Sequence, residues 1–200
     1  MRDRGAPPRP NGATVTRYWE PRLSAFVVQV LPGELHVTDE PVVISTILGS
    51  CVSACVRDVR RSVGGINHFM LPNAVRGDDG ASARYGVYAL ECLVNQVLRG
   101  GGMRSDLEVK VFGGGQVIAS GSDIGKSNID LVRAFFAAER IPIVAEDLGH
   151  KFARRVRYWP RTGRTQVLRI PMGHAVEIVE RERRSADTLA PAPGSIELFP

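Results

Sequence analysis

Residues 41–71 read PVVISTILGSCVSACVRDVRRSVGGINHFML. Three β-branched, apolar runs, PVVISTIL (41–48), CVSACVRD (51–58) and VGGINHFML (63–71), are divided by Gly49-Ser50 and by a charged stretch rich in arginine, the pattern of successive strands joined by turns. If the second and third runs form a hairpin turning at Asp58 to Arg61, its centre falls between Val59 and Arg60. Cys51 then faces His68, and Cys55 faces Gly64. Directly opposed residues hold their Cβ atoms about 4.5 to 5.5 Å apart, which brings a thiol and an imidazole within reach of each other.

Working outward, AFVVQVL (25–31) and ELHV (34–37) read as two earlier strands. Residues 1 to 22 are rich in Arg, Pro and Gly without apolar periodicity and read as a disordered or loosely docked extension. After Pro72 a loop composition gives way to Tyr85, Tyr88, Ala89, Cys92, Leu93 and Val97 at helical spacing, ended by Gly100-Gly101-Gly102. LEVKVF (107–112) is a strand running into Gly113-Gly114-Gly115. Ser127 and Asp130 resemble a cap ahead of a second helix around 128 to 140, burying Ile129, Val132 and Phe136. IPIVAEDL, RRVRYWP, TQVLRI and HAVEIVE add four strands, with Pro160-Arg161-Thr162-Gly163 as a turn. Many strands with two helices that do not alternate regularly predict an α+β layered domain over 23–182, followed by a linker-like tail over 183–200.

The chain of 200 residues with 44% hydrophobic content is sufficient for one sizeable core. No run approaches the roughly 20 apolar residues of a membrane span, and MRDRGAPPRP is charged where a signal peptide is apolar, so a cytoplasmic protein without direct membrane insertion is expected. Cys51, Cys55 and Cys92 are an odd number and are expected as free thiols. The net charge of +5 is concentrated over residues 148 to 176, where Lys151 and six arginines meet no acid. Arginines that alternate with apolar residues form the solvated face of a strand pair, and nucleic acid is not expected as a partner. The glycine run lacks the Walker Lys-Ser/Thr spacing and any GxGxxG match, which argues against a nucleotide site.

The chemistry concentrates on Cys51 and His68. A thiol with a pKa near about 8.5 is mostly protonated at neutral pH, and a partner histidine can take its proton and later return it to a leaving amine. Such a pair suits hydrolysis of an amide or ester through a thioester, with no cofactor. Gly49 and Ser50, in the turn before the nucleophile, can offer backbone N–H groups to a developing oxyanion. A third group that orients the imidazole is sought among Ser45 and Thr46, of which strand alternation lets only one face the site; Asn67 points the other way. A metal site built from Cys51, Cys55, His68 and Cys92 lacks a second close ligand pair, and no metal is expected. Cys55 reads as a packed strand residue and Cys92 as helical core, while His36, His150 and His174 read as loop or surface residues.

Five segments together resemble the CheD family of chemoreceptor glutamine deamidases. They are Thr46 to Ser53, Gly65 to Pro72, Phe112 to Gly115, Ile124 to Asn128, and Ala145 to Gly149 followed by Arg154-Arg155-Val156 and Thr162-Gly163-Arg164, and the resemblance spans about residues 25 to 180. It implies a layered α/β/β/α-type sandwich of mixed sheets, similar to deamidating toxins and cysteine hydrolases. It also implies hydrolysis of selected glutamines, in some members glutamyl methyl esters, in methyl-accepting chemotaxis receptors, and association with the phosphatase CheC. The family nucleophile falls on Cys51, its histidine on His68, and its third residue, a threonine six positions before the cysteine, on Ser45, with Thr46 one step away. Gly149-His150-Lys151-Phe152-Ala153 departs from the paired glycine and Gly-Arg step more usual there. A contrasting expectation is a receptor-docking or CheC-binding adaptor with little turnover.

Overall fold

The computed structural model describes residues 16–71, 79–116 and 124–170, together with Glu180, Glu182 and Arg184. In chain order the elements are β1 (Thr16–Glu20), β2 (Ala25–Gln29), β3 (Leu35–Thr38), β4 (Val43–Leu48), β5 (Val52–Asp58), β6 (Gly64–Asn67), α1 (Asp79–Arg99), β7 (Leu107–Gly113), α2 (Ile124–Ala138), β8 (Ile143–Leu148), β9 (Ala153–Tyr158) and β10 (Thr165–Ile170). The β-branched runs of the sequence supply the strands, because branched side chains pack well on a pleated surface. Each helix presents an apolar face at helical spacing: Leu90, Leu93, Val94 and Val97 on α1, and Val132, Phe135 and Phe136 on α2.

The strands form two mixed five-stranded sheets, one in the order β1-β2-β4-β9-β10 and the other β3-β6-β5-β7-β8. Strand alternation divides the core in two. Even-numbered residues of the first sheet (Val28, Val30, Ile44, Leu48, Val156, Tyr158) meet Cys51, Cys55, Ile66 and Met70 of the second. The second sheet's other face, including Val52, Ala54, Val56, Val109 and Val111, packs on α1 and α2. Both helices therefore lie on one side. The order among the described residues is sheet, sheet, helices, and the further helical layer expected in an α/β/β/α-type sandwich is not among them.

Three other expectations change at the edges. Residues 16–20, expected inside a loose extension, pair antiparallel with β2, with Trp19 opposite Phe26. This edge strand is mostly exposed and shows no apolar alternation to betray it. Helix α2 begins at Ile124, so Ser127 lies inside it, and Asp130 accepts from Lys126 Nζ at 2.7 Å rather than completing a cap. Glu180, which ends the run HAVEIVE expected as a strand, is helical, as are Glu182 and Arg184; residues 171–179 lie outside the described residues.

The hairpin of β5 and β6 forms, but its turn is longer than expected. Asp58 N–H donates to the Val63 carbonyl at 3.0 Å, leaving Val59 to Ser62 in the loop. The Asp58 carboxylate accepts N–H groups of Arg60 at 2.7 Å, Arg61 at 2.8 Å and Met103 at 2.7 Å. Cys55 accordingly faces Ile66 instead of Gly64, and Val52 faces Phe69. Each residue is displaced by two positions, and a displacement of two keeps every side chain on its expected face. Cys51 and His68 thus become diagonal neighbours on one face rather than directly opposed partners.

Burial works to raise the Asp58 carboxyl, but the Met103, Arg60 and Arg61 N–H groups and the Arg61 guanidinium outweigh it and hold it below the usual range. A carboxyl lowered in the folded state stabilises above its unfolded pKa, near about 4, and that contribution is lost as pH falls through the folded value. We expect Asp58→Asn to cost about 1–3 kcal/mol at pH 7, the loss of charge-assisted hydrogen bonds. Urea titrations should show that difference shrinking at pH 3; an equal difference at both pH values would contradict this role for the charge.

Candidate active site

The turn between β4 and β5 is fixed from behind at every carbonyl. Gly49 O accepts from Gly115 N–H at 2.8 Å and Cys51 O from Gly114 N–H at 2.7 Å. Ser50 O accepts from Asn128 Nδ2 at 3.0 Å, and the same Asn128 side chain takes the Leu71 N–H at 2.8 Å, binding the ends of the two site segments together from α2. A glycine is required at position 113 by this contact. Gly113 adopts φ of 114°, and a Cβ built there would lie 2.1 Å from the Cys51 carbonyl oxygen. The run Gly113-Gly114-Gly115 is therefore the brace of the Cys51 turn. The N–H groups of Gly49 and Ser50 face the site, that of Ser50 held through the braced Gly49 carbonyl.

His68 is buried and tethered at one nitrogen. Thr46 Oγ1 donates its single hydrogen to Val30 O at 2.9 Å, so at its 2.8 Å contact with His68 Nδ1 the hydroxyl must accept. That assigns the ring hydrogen to Nδ1 and leaves Nε2 for the site. Nε2 is a buried nitrogen with no hydrogen-bond partner among the described residues. Of the two hydroxyls considered from sequence, Thr46 rather than Ser45 meets the imidazole. Thr46 shares its face of β4 with Ile44 and Leu48, which point into the inter-sheet core, whereas Ser45 points to the opposite face.

A third side chain completes the cluster. Glu182, buried and helical, reaches across more than 130 positions of sequence. Its Oε1 accepts Gly49 N–H at 2.7 Å, and its Oε2 accepts Ser50 N–H at 2.9 Å and Ser50 Oγ at 3.1 Å. Oε1 lies 3.7 Å from His68 Nε2, too far for a hydrogen bond, and the two pair as ions only when the ring carries both hydrogens. Donor atoms of Cys51, His68 and Glu182 all lie within 4.8 Å of one another. Burial, then the negative charge of Glu182, push the Cys51 thiol well above its ordinary range, against the pull of its own backbone N–H. Burial also works to raise the Glu182 carboxyl, but His68 and the Gly49 N–H outweigh it and keep it below the usual carboxylate range.

Three such ligand types could hold a cation, but two backbone N–H groups and a hydroxyl already satisfy this carboxylate as an anion site, a donor set that favours negative charge. Cys55 is fully buried in the inter-sheet core and Cys92 is half-buried on α1; neither joins the cluster. Asn67 points away, as alternation requires, accepting Ala54 N–H and donating to Ala89 O of α1. His36 lies on β3, His150 stacks on Phe152, and His174 is outside the described residues. Sequence reasoning missed Glu182. The available signal was weak: Glu180 and Arg184 are spaced as a helical i,i+4 pair, and they do form one at 3.6 Å.

Thr46→Val removes the acceptor for the His68 Nδ1–H inside the core. We expect it to cost about 1–3 kcal/mol, and more than Ser45→Ala, whose hydroxyl does not meet the ring. The imidazole ¹⁵N and ring N–H resonances provide a second readout, with the Nδ1–H signal lost in Thr46→Val and kept in Ser45→Ala.

No helix among the described residues is long and apolar enough to cross a membrane. Residues 70–169 match the family model described as CheD chemotactic sensory transduction. A protein of Rhodopseudomonas palustris strain BisA53 is 48% identical over 93% of this chain and 90% of its own length. One of Cupriavidus metallidurans is 44% identical over 98% and 94%, and one of Halorhodospira halophila 41% identical over 95% and 92%. Each carries the name "Probable chemoreceptor glutamine deamidase CheD". Among solved structures, the Bacillus licheniformis hypothetical protein YfiH aligns with TM-score 0.30 and 20% identity over 50% of this chain and 33% of that one, an overlap that supports no inference. With half its length matched by the family model and relatives of this identity along nearly all of it, the chain belongs to the CheD family.

Proposed function

We propose that the chain hydrolyses the side-chain amides of glutamines in methyl-accepting chemotaxis receptors, giving glutamate and ammonia, through Cys51 and His68. The observation that carries this reading is the relay Val30 O, Thr46, His68. It fixes the imidazole with Nδ1 protonated and Nε2 free on the side of the Cys51 thiol. The names of the relatives supply the substrate class.

In the proposed sequence, a glutamine side chain enters with its carbonyl oxygen toward the Gly49 and Ser50 N–H groups. His68 Nε2 takes the thiol proton, the sulfur adds to the amide carbon, and charge gathers on the oxygen opposite those N–H donors. Collapse breaks the C–N bond as the imidazolium returns its proton to the departing amine, so ammonia leaves and a thioester remains. Water, deprotonated by the same Nε2, attacks the thioester carbon, and the sulfur recovers its proton from His68. One water is consumed for each ammonia released. Thr46 keeps Nε2 aimed through both steps without exchanging a proton. A glutamyl methyl ester follows the same course with methanol as leaving group.

The contrasting reading is a docking adaptor, for receptors or for CheC, with little turnover. Ammonia release and peptide mass spectrometry on purified receptor distinguish the two, since deamidation makes a peptide about one dalton heavier without cutting it. We expect Cys51→Ala and His68→Ala each to lower the rate by at least about a thousandfold. An unchanged rate in Cys51→Ala would leave the adaptor as the better account.

A further inference from the structure

We infer that Glu182 is an intramolecular product mimic, its carboxylate seated where the side chain of a substrate glutamine must go, so that receptor and Glu182 compete for one site. The inference rests on the deamidase reading and adds to it a position for the substrate and an occupant the protein carries itself.

The location of the carboxylate excludes the role of an acid that orients the imidazole. An orienting acid would accept the imidazole N–H remote from the thiol, but that hydrogen goes to Thr46. Glu182 lies instead on the Nε2 side, in the space shared with the Cys51 sulfur. It occupies the N–H groups of Gly49 and Ser50, the donors an oxyanion would need. Its side chain is that of glutamate, which is what remains when a glutamine loses its amide. Between them its two oxygens take the Gly49 N–H, the Ser50 N–H and Ser50 Oγ, so the carboxylate as a whole marks where the substrate's carbonyl oxygen is received, with Oε1 on the side of His68 Nε2. Ser50 Oγ thereby becomes a substrate-positioning group.

The same contact keeps the site closed. Cys51 has no exposed surface, His68 retains 2% and Glu182 itself only 1%. A small cleft lined by Val30, Leu31, Pro32 and Ile47 also borders His68 and Glu182. A glutamine side chain reaches the sulfur only after the carboxylate withdraws. Withdrawal also removes the negative charge beside the thiol, and a neutral carboxamide in its place no longer opposes thiolate formation.

The full-length Glu182→Gln variant tests this directly, because it places an amide over the nucleophile. Cys51 adds to the amide carbon of the introduced side chain, the C–N bond breaks, ammonia leaves, and water hydrolyses the thioester to regenerate Glu182. We expect the peptide containing position 182 to become about one dalton heavier at a rate independent of protein concentration, and to keep its amide in Glu182→Gln combined with Cys51→Ala. In parallel, Glu182→Ala should lower the KM for purified receptor while leaving kcat near that of the native chain, about tenfold if the native site is open one-tenth of the time. It should also speed alkylation of Cys51 by iodoacetamide. If native protein deamidates receptor while the amide introduced at position 182 persists, and KM and alkylation are unchanged in Glu182→Ala, the product-mimic assignment is wrong and the deamidase reading stands. If neither native protein nor Glu182→Ala, verified as folded by its thermal transition, acts on receptor, the deamidase reading falls and the assignment with it.

Discussion

Three carbonyl oxygens, those of Gly49, Ser50 and Cys51, are drawn back by two glycine N–H groups and the Asn128 amide. A peptide unit fixed at its carbonyl has its N–H direction fixed as well, so the hold on the Gly49 carbonyl fixes the Ser50 N–H, while the Gly49 N–H belongs to the peptide unit of Leu48, the last residue of β4; both donate to one carboxylate. The close approach is open only to a backbone without a Cβ at Gly113, which explains why a glycine run sits far along the chain from the Cys51 turn it supports. Asn128 extends the brace to Leu71, so the cysteine turn and the segment after the histidine are set by one side chain of α2. Displacing that helix would disturb donors, sulfur and imidazole together.

The two sheets divide the remaining work. The second carries Cys51 and His68 at one end of its central strands; the first contributes Thr46 and Val30, which fix the ring from across the core. In the proposed reaction, preorganisation of this kind limits the reorganisation required when charge develops, because donors and imidazole are held before a substrate arrives. The mixed connection of the first sheet makes it achievable: β4 pairs parallel with β2 and antiparallel with β9, which buries it centrally and gives Thr46 a rigid frame. Arg154, on β9, is fully buried and donates to the Asp147 and Gly149 carbonyls and the Asp147 carboxylate, fixing the turn between β8 and β9.

Much of this was legible because strand faces obey parity. The turn at Asp58 proved two residues longer in its effect on pairing than sequence suggested, yet Cys51 and His68 remained on one face, as an even displacement demands. Which of Ser45 and Thr46 meets the ring was not legible, since both are buried and only the relative placement of the two sheets identifies the inward face. The edge strand β1 was hidden because exposed strands carry little apolar signal. Glu182 was hidden for a different reason. Its partners are brought to it by tertiary structure alone, and no local pattern encodes a contact across more than 130 residues. The second helix, in contrast, was visible in Val132 and Phe136, and only its first turn was misplaced.

The central claim is that a sulfur and an imidazole, set by the brace and the threonine relay, form a covalent acyl intermediate. Interception by hydroxylamine tests it most directly. Receptor incubated with the protein and hydroxylamine should acquire glutamyl hydroxamate at the same glutamines that otherwise become glutamate, with none formed when Cys51 is replaced by alanine. Glutamate formation without any hydroxamate at saturating hydroxylamine, or hydroxamate formation that persists without the Cys51 thiol, would contradict the account.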